Sequence, residues 1–255
     1  MHRKGMVIDM KVIVNGALGR MGREVTRLLS ENYRGASLAG AVDAFGEGEG
    51  VVKDLRQLTE EADVIVDFSN HAAAPALCAY AVETGTPVVV STTGHTEEEK
   101  AAILTAAKSV PVFFSANMSL GVALLCELAA KAAALYPDAD IEIVETHHNR
   151  KLDAPSGTAL MIADSIKEVK TDATYQLGRA GHAKRQPGEI GIHAIRMGNV
   201  VGEHEVHIGT DTETITLSHK AHDRALFAEG ALVAAAFLQG KSAGLYTMRD
   251  MVSGK

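Results

Sequence analysis

The stretch VIVNGALGRMGREV, residues 12–25, constrains the fold of this chain more than any other. A β-branched run ends at Asn15, glycines follow at Gly16, Gly19 and Gly22, and helix-forming residues take over. Glycines permit a tight turn and a close backbone approach, and the first N–H groups of the helix that follows attract an anion such as a pyrophosphate. The spacing is GxxGxxG, one residue longer than the usual GxGxxG, so the turn alone is a weak signal. A plain strand-to-helix turn, with glycines serving only packing, is the alternative. Context favours a bound dinucleotide: the next strand-like run, SLAGAVD, ends at Asp43, an acid placed to accept hydrogen bonds from the adenine ribose hydroxyls. Ala44 and Phe45 follow it, where an arginine would meet a 2′-phosphate, so NADH is favoured over NADPH. Arg20 and Arg23 beside the turn keep NADPH open.

Around that turn, short β-branched runs alternate with alanine-rich helical patterns. Residues 11–15, 37–43, 62–68, 87–92 and 110–116 read as five strands, and 22–31, 71–85 and 96–109 as helices; Gly46 to Gly50 reads as a loop. The alternation predicts βαβ units and a parallel, doubly wound sheet. The loops STTG and SANMS then lie at its carboxyl edge, where Ser91, Thr92, Thr93, Ser115, Ala116, Asn117 and Met118 would flank a nicotinamide. The same residue types also serve any turn or cap. After Asn117 the pattern changes to a helix stopped by Pro137, the strand IEIVET, the helix SGTALMIADSIKEVK, and three strand-like runs at 189–199, 203–210 and 213–221. These suggest an antiparallel or mixed sheet. A second domain is expected over residues 119–223, with the segment 224–255, most of it the long helix that runs to residue 240, returning to the first domain, 1–118.

With 255 residues the chain has room for two domains. Its net charge of -7 gives no general reason to bind nucleic acid or an anionic membrane, and no apolar run reaches the roughly 20 residues of a membrane span. The stretch MHRKGMVIDMK lacks the apolar core and cleavage site of a secretory signal. Cys78 and Cys126, in apolar surroundings, suit reduced buried thiols; a cytoplasmic location is the expectation.

The segment ETHHNRKLDAPSGTA, residues 145–159, concentrates proton-carrying groups between a strand and a helix start. His147, His148 and Lys151 fall in the loop, Pro155 marks a turn, and Ser156, Gly157 and Thr158 open the helix. Free N–H groups there, with the Thr158 hydroxyl and the Lys151 charge, suit a carboxylate beside a proton donor. Three plain alternatives exist: adjacent histidines as metal ligands, which fit no CxxC or HExxH spacing, SGT as a helix cap only, and Lys151 with Asp153 as a solvated pair. No metal site is expected. His193, His204, His207, His219 and His222 fit no metal pattern and read as structural, while Arg196 and Lys220 are ambiguous. A dehydrogenase with a nucleophilic cysteine is disfavoured because both cysteines sit in apolar helical patterns, and a non-catalytic nucleotide sensor would need no proton donor.

ExHHxxKxDAPSGTA, NGALGRMG, STTG, SANMS and PGEIGIHAIRMGNVVGEHEV together resemble the dihydrodipicolinate reductase family, the 4-hydroxy-tetrahydrodipicolinate reductases of lysine biosynthesis, over nearly the whole chain. The resemblance implies a Rossmann-type domain and a smaller α+β domain whose open mixed sheet binds substrate and builds a homotetramer. It implies that His147 and Lys151 form the proton-donor pair, that His148 with the Gly157 and Thr158 amides binds a dicarboxylate cyclic imine, and that Gly16, Ala17, Leu18, Gly19, Arg20, Met21, Asp43 and the two edge loops contact the nucleotide. Where some relatives carry an arginine after the acid, this chain has Ala44.

Overall fold

A computed structural model of the chain describes residues 9–254; up to residue 8 the basic N-terminal stretch read above lies outside the described residues. Two compact units emerge: one takes the chain up to Met118 together with the segment from Ala225 onward, the other is Ser119–Arg224.

The first unit contains β1 (Met10–Asn15), α1 (Arg20–Ser30), β2 (Ala36–Val42), β3 (Val51–Val52), β4 (Val64–Asp67), α2 (Ala74–Thr84), β5 (Val88–Val90), α3 (Glu97–Ala106), β6 (Pro111–Phe114) and, after the second unit, α6 (Ala225–Leu238), β12 (Gly244–Tyr246) and α7 (Met248–Ser253). Its seven strands run in the order β12-β6-β5-β4-β1-β2-β3, every pair parallel. Helices cover both faces, so Val64, Ile65, Val66 and Val88, Val89, Val90 lose all exposure. Alternate residues divide between the faces. Ile13, Val42, Ile65, Val88, Val90 and Val112 pack with Leu77 and Cys78 of α2 and Ile103 of α3. On the other side α6 packs against α1 and β4, β5 and β6. Gly230 lets α6 approach, because a Cβ there would stand 1.7 Å from the Met118 carbonyl oxygen.

The second unit holds α4 (Leu120–Leu135), β7 (Asp140–His147), α5 (Gly157–Lys167), β8 (Thr174–Leu177), β9 (Glu189–Arg196), β10 (Gly202–Gly209) and β11 (Thr214–Ala221). The sheet order is β11-β10-β7-β9-β8; β7–β9 and β8–β9 are parallel, β7–β10 and β10–β11 antiparallel. Ile141, Ile143, Ile190, Ile192, Val206 and Ile208 face Ala129 and Ala133 of α4 and Ile162 and Ile166 of α5. The alternate residues Glu142, Val144, His193, Glu205, His207, Thr216 and Ser218 stay at least partly exposed.

The architecture is the expected one, a doubly wound parallel sheet plus a separate mixed sheet, with corrections at the edges. The first sheet has seven strands where five are readable from sequence, since β3 and β12 are two and three residues long and too short to show a period. The edge strand β8, with no fully buried residue, also escapes the pattern. The helix read from residue 71 starts as a 3₁₀ turn, His71–Ala73, before α2.

Candidate functional site

In the first unit, β1 feeds β2 on one side while β4 lies on its other side, the switch point where doubly wound sheets open a crevice. A cleft of about 530 Å³ lies there, walled by four carboxyl-end loops: Gly19, Arg20 and Met21 after β1, Phe68 to His71 after β4, Ser91, Thr92 and Thr93 after β5, and Ala116 and Met118 after β6. Phe227 of α6 completes the wall.

The glycine turn has the geometry its sequence predicts. Gly16 sits at φ +82°, and a Cβ on it would meet the Phe68 backbone at 2.7 Å. The Gly16 and Ala17 N–H groups both donate to the Val42 carbonyl, at 2.9 and 3.0 Å. Gly19 is the N-cap of α1 and brings no side chain to the helix's first N–H groups. Ser91 contributes a buried Oγ with no hydrogen-bond partner among the described residues. An uncapped helix start, a turn pressed close by its glycines and an unsatisfied hydroxyl fit a dinucleotide's pyrophosphate and polar head groups.

Gly16, Ala17, Leu18, Asp43, Ser115 and Asn117 do not line the cleft itself. Asp43 Oδ2 accepts from the Leu18 N–H at 3.0 Å, and Oδ1 from the Phe45 and Gly46 N–H groups at 3.1 and 2.7 Å, so the acid ties the glycine turn to the loop after β2. Burial works to raise its carboxyl, but these three N–H donors and the Lys53 charge outweigh it and hold the group below its ordinary value. Ser115 Oγ donates to the Asn117 carbonyl at 2.8 Å and shapes the loop after β6. Of the two arginines near the turn, Arg20 lines the cleft, whereas the Arg23 Nε donates to the Leu18 carbonyl at 2.9 Å.

In the second unit, His147 ends β7 and is buried, with Nδ1 2.6 Å from Glu145 Oε2 and its ring edge-on to His204 at 5.2 Å. The His148 N–H donates to the Val200 carbonyl at 2.8 Å, and its Nδ1 is buried with no hydrogen-bond partner among the described residues. Desolvation, then the charges of Arg150 and Arg224, press the His148 imidazole below its ordinary value. Lys151 Nζ lies 2.8 Å from Asp153, a half-exposed carboxylate. Ser156 caps α5 by accepting from the Ala159 N–H at 3.1 Å; Gly157 and Thr158 form the first turn, and a Cβ on Gly157 would meet nothing within 4 Å. The space beside the Gly157 Cα is therefore open.

Two family models match the chain: the one described as dihydrodipicolinate reductase, N-terminus, over residues 10–118, and the one described as dihydrodipicolinate reductase, C-terminus, over residues 121–252. The chain belongs to the dihydrodipicolinate reductase family. Among curated members, a 4-hydroxy-tetrahydrodipicolinate reductase of Caldanaerobacter subterraneus subsp. tengcongensis is 48% identical, covering 95% of this chain and 98% of that protein. One of Clostridium novyi is 43% identical over 96% and 99%. In fold, a dipicolinate-bound dihydrodipicolinate reductase from Paenisporosarcina sp. TG-14 matches with a TM-score of 0.80 at 24% identity, covering 94% of this chain and 98% of that one.

Several residues of this family member escape a sequence reading. Phe68, Ser69, Asn70 and His71 line the cleft, and the signal for them is their place after an apolar strand at the carboxyl edge. Beneath that loop Asp67, 2% exposed, accepts from Asn15 Nδ2 at 2.8 Å and Thr92 Oγ1 at 2.7 Å. Arg196, ambiguous in sequence, is paired with Glu145 at 2.8 Å, and His204 lies 3.2 Å from Ser156 Oγ.

Proposed function

We propose that this chain catalyses the NAD(P)H-dependent reduction of 4-hydroxy-tetrahydrodipicolinate, by way of dihydrodipicolinate, to tetrahydrodipicolinate in diaminopimelate and lysine biosynthesis. Family membership supports the reaction, and the observation that carries the redox half is the cleft whose walls come from four carboxyl-end loops of the parallel sheet. The unit holding it is read as the dinucleotide-binding domain, and Ser119–Arg224 as the substrate-binding and oligomerisation domain.

When bound, the reduced nicotinamide supplies a hydride to the conjugated ring carbon. The enamine-like anion that results takes a proton, and His147 donates it with Lys151 assisting, a role worth roughly 10²- to 10⁴-fold in rate. His148 and the Gly157 and Thr158 N–H groups hold a substrate carboxylate at the start of α5, where the space beside the Gly157 Cα is clear. The Lys151–Asp153 pair is partly exposed and so weakly bound that a substrate carboxylate can replace Asp153. The cleft takes the nucleotide through its lining residues Gly19, Arg20, Met21, Ser91, Thr92, Thr93, Ala116 and Met118; Gly16, Ala17, Leu18 and Asp43 on the adenine-ribose side and Ser115 and Asn117 on the nicotinamide side stand outside the cleft wall and are read as further contacts at its margin.

NADH is the preferred reductant, because the acid at Asp43 repels a 2′-phosphate and Ala44 offers it nothing. The partly exposed sheet face bearing Glu142, His193, Glu205 and His207 is the interface of a homotetramer. The location is cytoplasmic; no helix among the described residues is long and apolar enough to cross a membrane.

Freshly generated 4-hydroxy-tetrahydrodipicolinate, offered with each reduced nicotinamide in turn, tests this reading. Substrate-dependent oxidation with a higher kcat/KM for NADH is expected. No substrate-dependent oxidation removes the reaction, a clear NADPH preference removes the reading of Asp43, and a monomer by sedimentation removes the tetramer.

A further inference from the structure

Glu145 points to the covered side of β7 and has no exposed surface. A carboxylate in that position must find donors for its oxygens or lose its charge. Four are present. Oε1 accepts from the Ser156 backbone N–H at 3.0 Å and from Arg196 Nη2 at 2.8 Å; Oε2 accepts from Arg196 Nη1 at 2.8 Å and meets His147 Nδ1 at 2.6 Å. Both oxygens are fully subscribed, two donors to each. Burial alone would raise the carboxyl, but Arg196, His147 and the Ser156 N–H together hold it below its ordinary value.

An ionised carboxylate only accepts, so the His147 ring proton belongs at Nδ1, and Nε2 is the nitrogen left for chemistry. Nε2 lies on the side of Gly202, where a Cβ would come within 3.1 Å of it. The same carboxylate anchors the N-cap residue of α5, the helix whose first N–H groups are proposed to hold substrate. Arg196 reaches further and donates from Nη2 to the Asp153 carbonyl at 2.7 Å, which fixes the loop that carries Lys151.

We infer that Glu145, braced by Arg196, is a positioning residue that sets both the proton donor and the substrate-binding helix start from one buried carboxylate. The inference rests on the reading of His147 as proton donor. In the transfer the Nε2–H bond breaks and a C–H bond forms on the substrate anion; the ring is left neutral with its remaining proton at Nδ1, still directed at Glu145, and solvent restores the Nε2 proton. A buried ion pair with only a structural task would need Arg196 and the Ser156 N–H alone; the third partner, the imidazole, is what gives Glu145 a part in the chemistry.

The titratable and charged groups facing the ring are Glu145 on β7, His148 just after it, His204 on β10 and, through Glu145, Arg196 on β9, while His219 of β11 and Lys151 of the loop act on His204. Among the described residues Glu145 is the one anion hydrogen-bonded to the imidazole, so its removal disfavours the charged, proton-donating ring.

Glu145→Gln keeps the volume and one acceptor oxygen but turns an amide toward Nδ1. The expected result is a fall in kcat of about 10- to 100-fold, as for loss of other ring-orienting partners, with KM changed less than about threefold. The descending limb of the kcat–pH profile moves to lower pH, because the anion facing the ring is gone. NADH affinity by calorimetry stays at the wild-type value. Arg196→Lys, which keeps the charge and loses the two-pronged contact, shows a smaller loss of kcat in the same direction. Wild-type kcat and an unmoved pH limb in Glu145→Gln overturn the inference. Nitrogen-15 NMR of the histidine-labelled wild-type protein, with the His147 signal assigned by its disappearance in His147→Gln, decides the matter even if Glu145→Gln does not fold: a neutral ring protonated at Nδ1 supports the role and one protonated at Nε2 refutes it. Should the wild-type enzyme fail to oxidise NADH with the imine, the functional reading falls while the ring-proton result stands by itself.

Discussion

Asp67 Oδ2 accepts a 2.7 Å hydrogen bond from Thr92 Oγ1, tying the end of β4 to the loop after β5 beneath the cleft. Burial raises the Asp67 carboxyl above its ordinary value, against the hydrogen bonds from Ser69, Thr92 and Asn15. The folded protein therefore holds this proton more tightly than the unfolded chain does, and stability falls as pH rises from about 4 through the raised value. Asp67→Asn has nothing to ionise and should lose that slope. Urea midpoints compared across pH check it; parallel curves for the two proteins would refute it.

Gly22 and Gly157 make a contrasting pair. A Cβ on Gly22 would lie 2.0 Å from the Gly16 carbonyl oxygen and 2.8 Å from the Ala17 Cα, all backbone that cannot give way. Gly22→Ala should cost at least about 1–3 kcal/mol and weaken NADH binding. Gly157→Ala enters open space, so its melting temperature should match wild type while KM for the imine rises. Differential scanning fluorimetry beside steady-state kinetics separates the two.

His204 lies between His147 and Ser156, and burial, aided by the His147 charge, lowers its imidazole to about 4. Between about 4 and 6.5 the unfolded chain binds a proton that the folded protein rejects, so the contribution is complete above 6.5 and is lost as pH falls toward 4. The full effect is on the order of 3 kcal/mol. His204→Gln should flatten this dependence, as unfolding free energies near neutrality and near pH 5 would register.

His147→Gln and Lys151→Met should each lower kcat more than they raise KM, His147→Gln by roughly 10²-fold or more. An unchanged kcat in both would take them out of the chemistry.

The sequence made visible what is repetitive or local. β1, β4 and β5 announce themselves as β-branched runs, β2 and β6 as short apolar runs between turn residues, and the glycine turn by its place between strand and helix. Edge strands of two to four residues have no period to read, and they depend on neighbours already in place. In the candidate site the same division holds. His147, Lys151 and the SGT helix start lie within a dozen residues of one another, so their grouping is legible. Arg196 is 51 residues from Glu145 and reaches it only because parallel pairing sets it opposite His147 in the register of β7 and β9. Phe227 joins the cleft wall from a helix that arrives after the whole second unit.

That late arrival shapes biogenesis. A ribosome releases β1 through β6 first, yet α6, which shields β4, β5 and β6, and β12, which pairs with β6, are translated only after the whole Ser119–Arg224 unit has emerged. The nascent parallel sheet thus lacks the α6 part of one apolar flank while the inserted unit, continuous in sequence, emerges, and a message truncated near its end would yield a chain with the insert intact and an unclosed host.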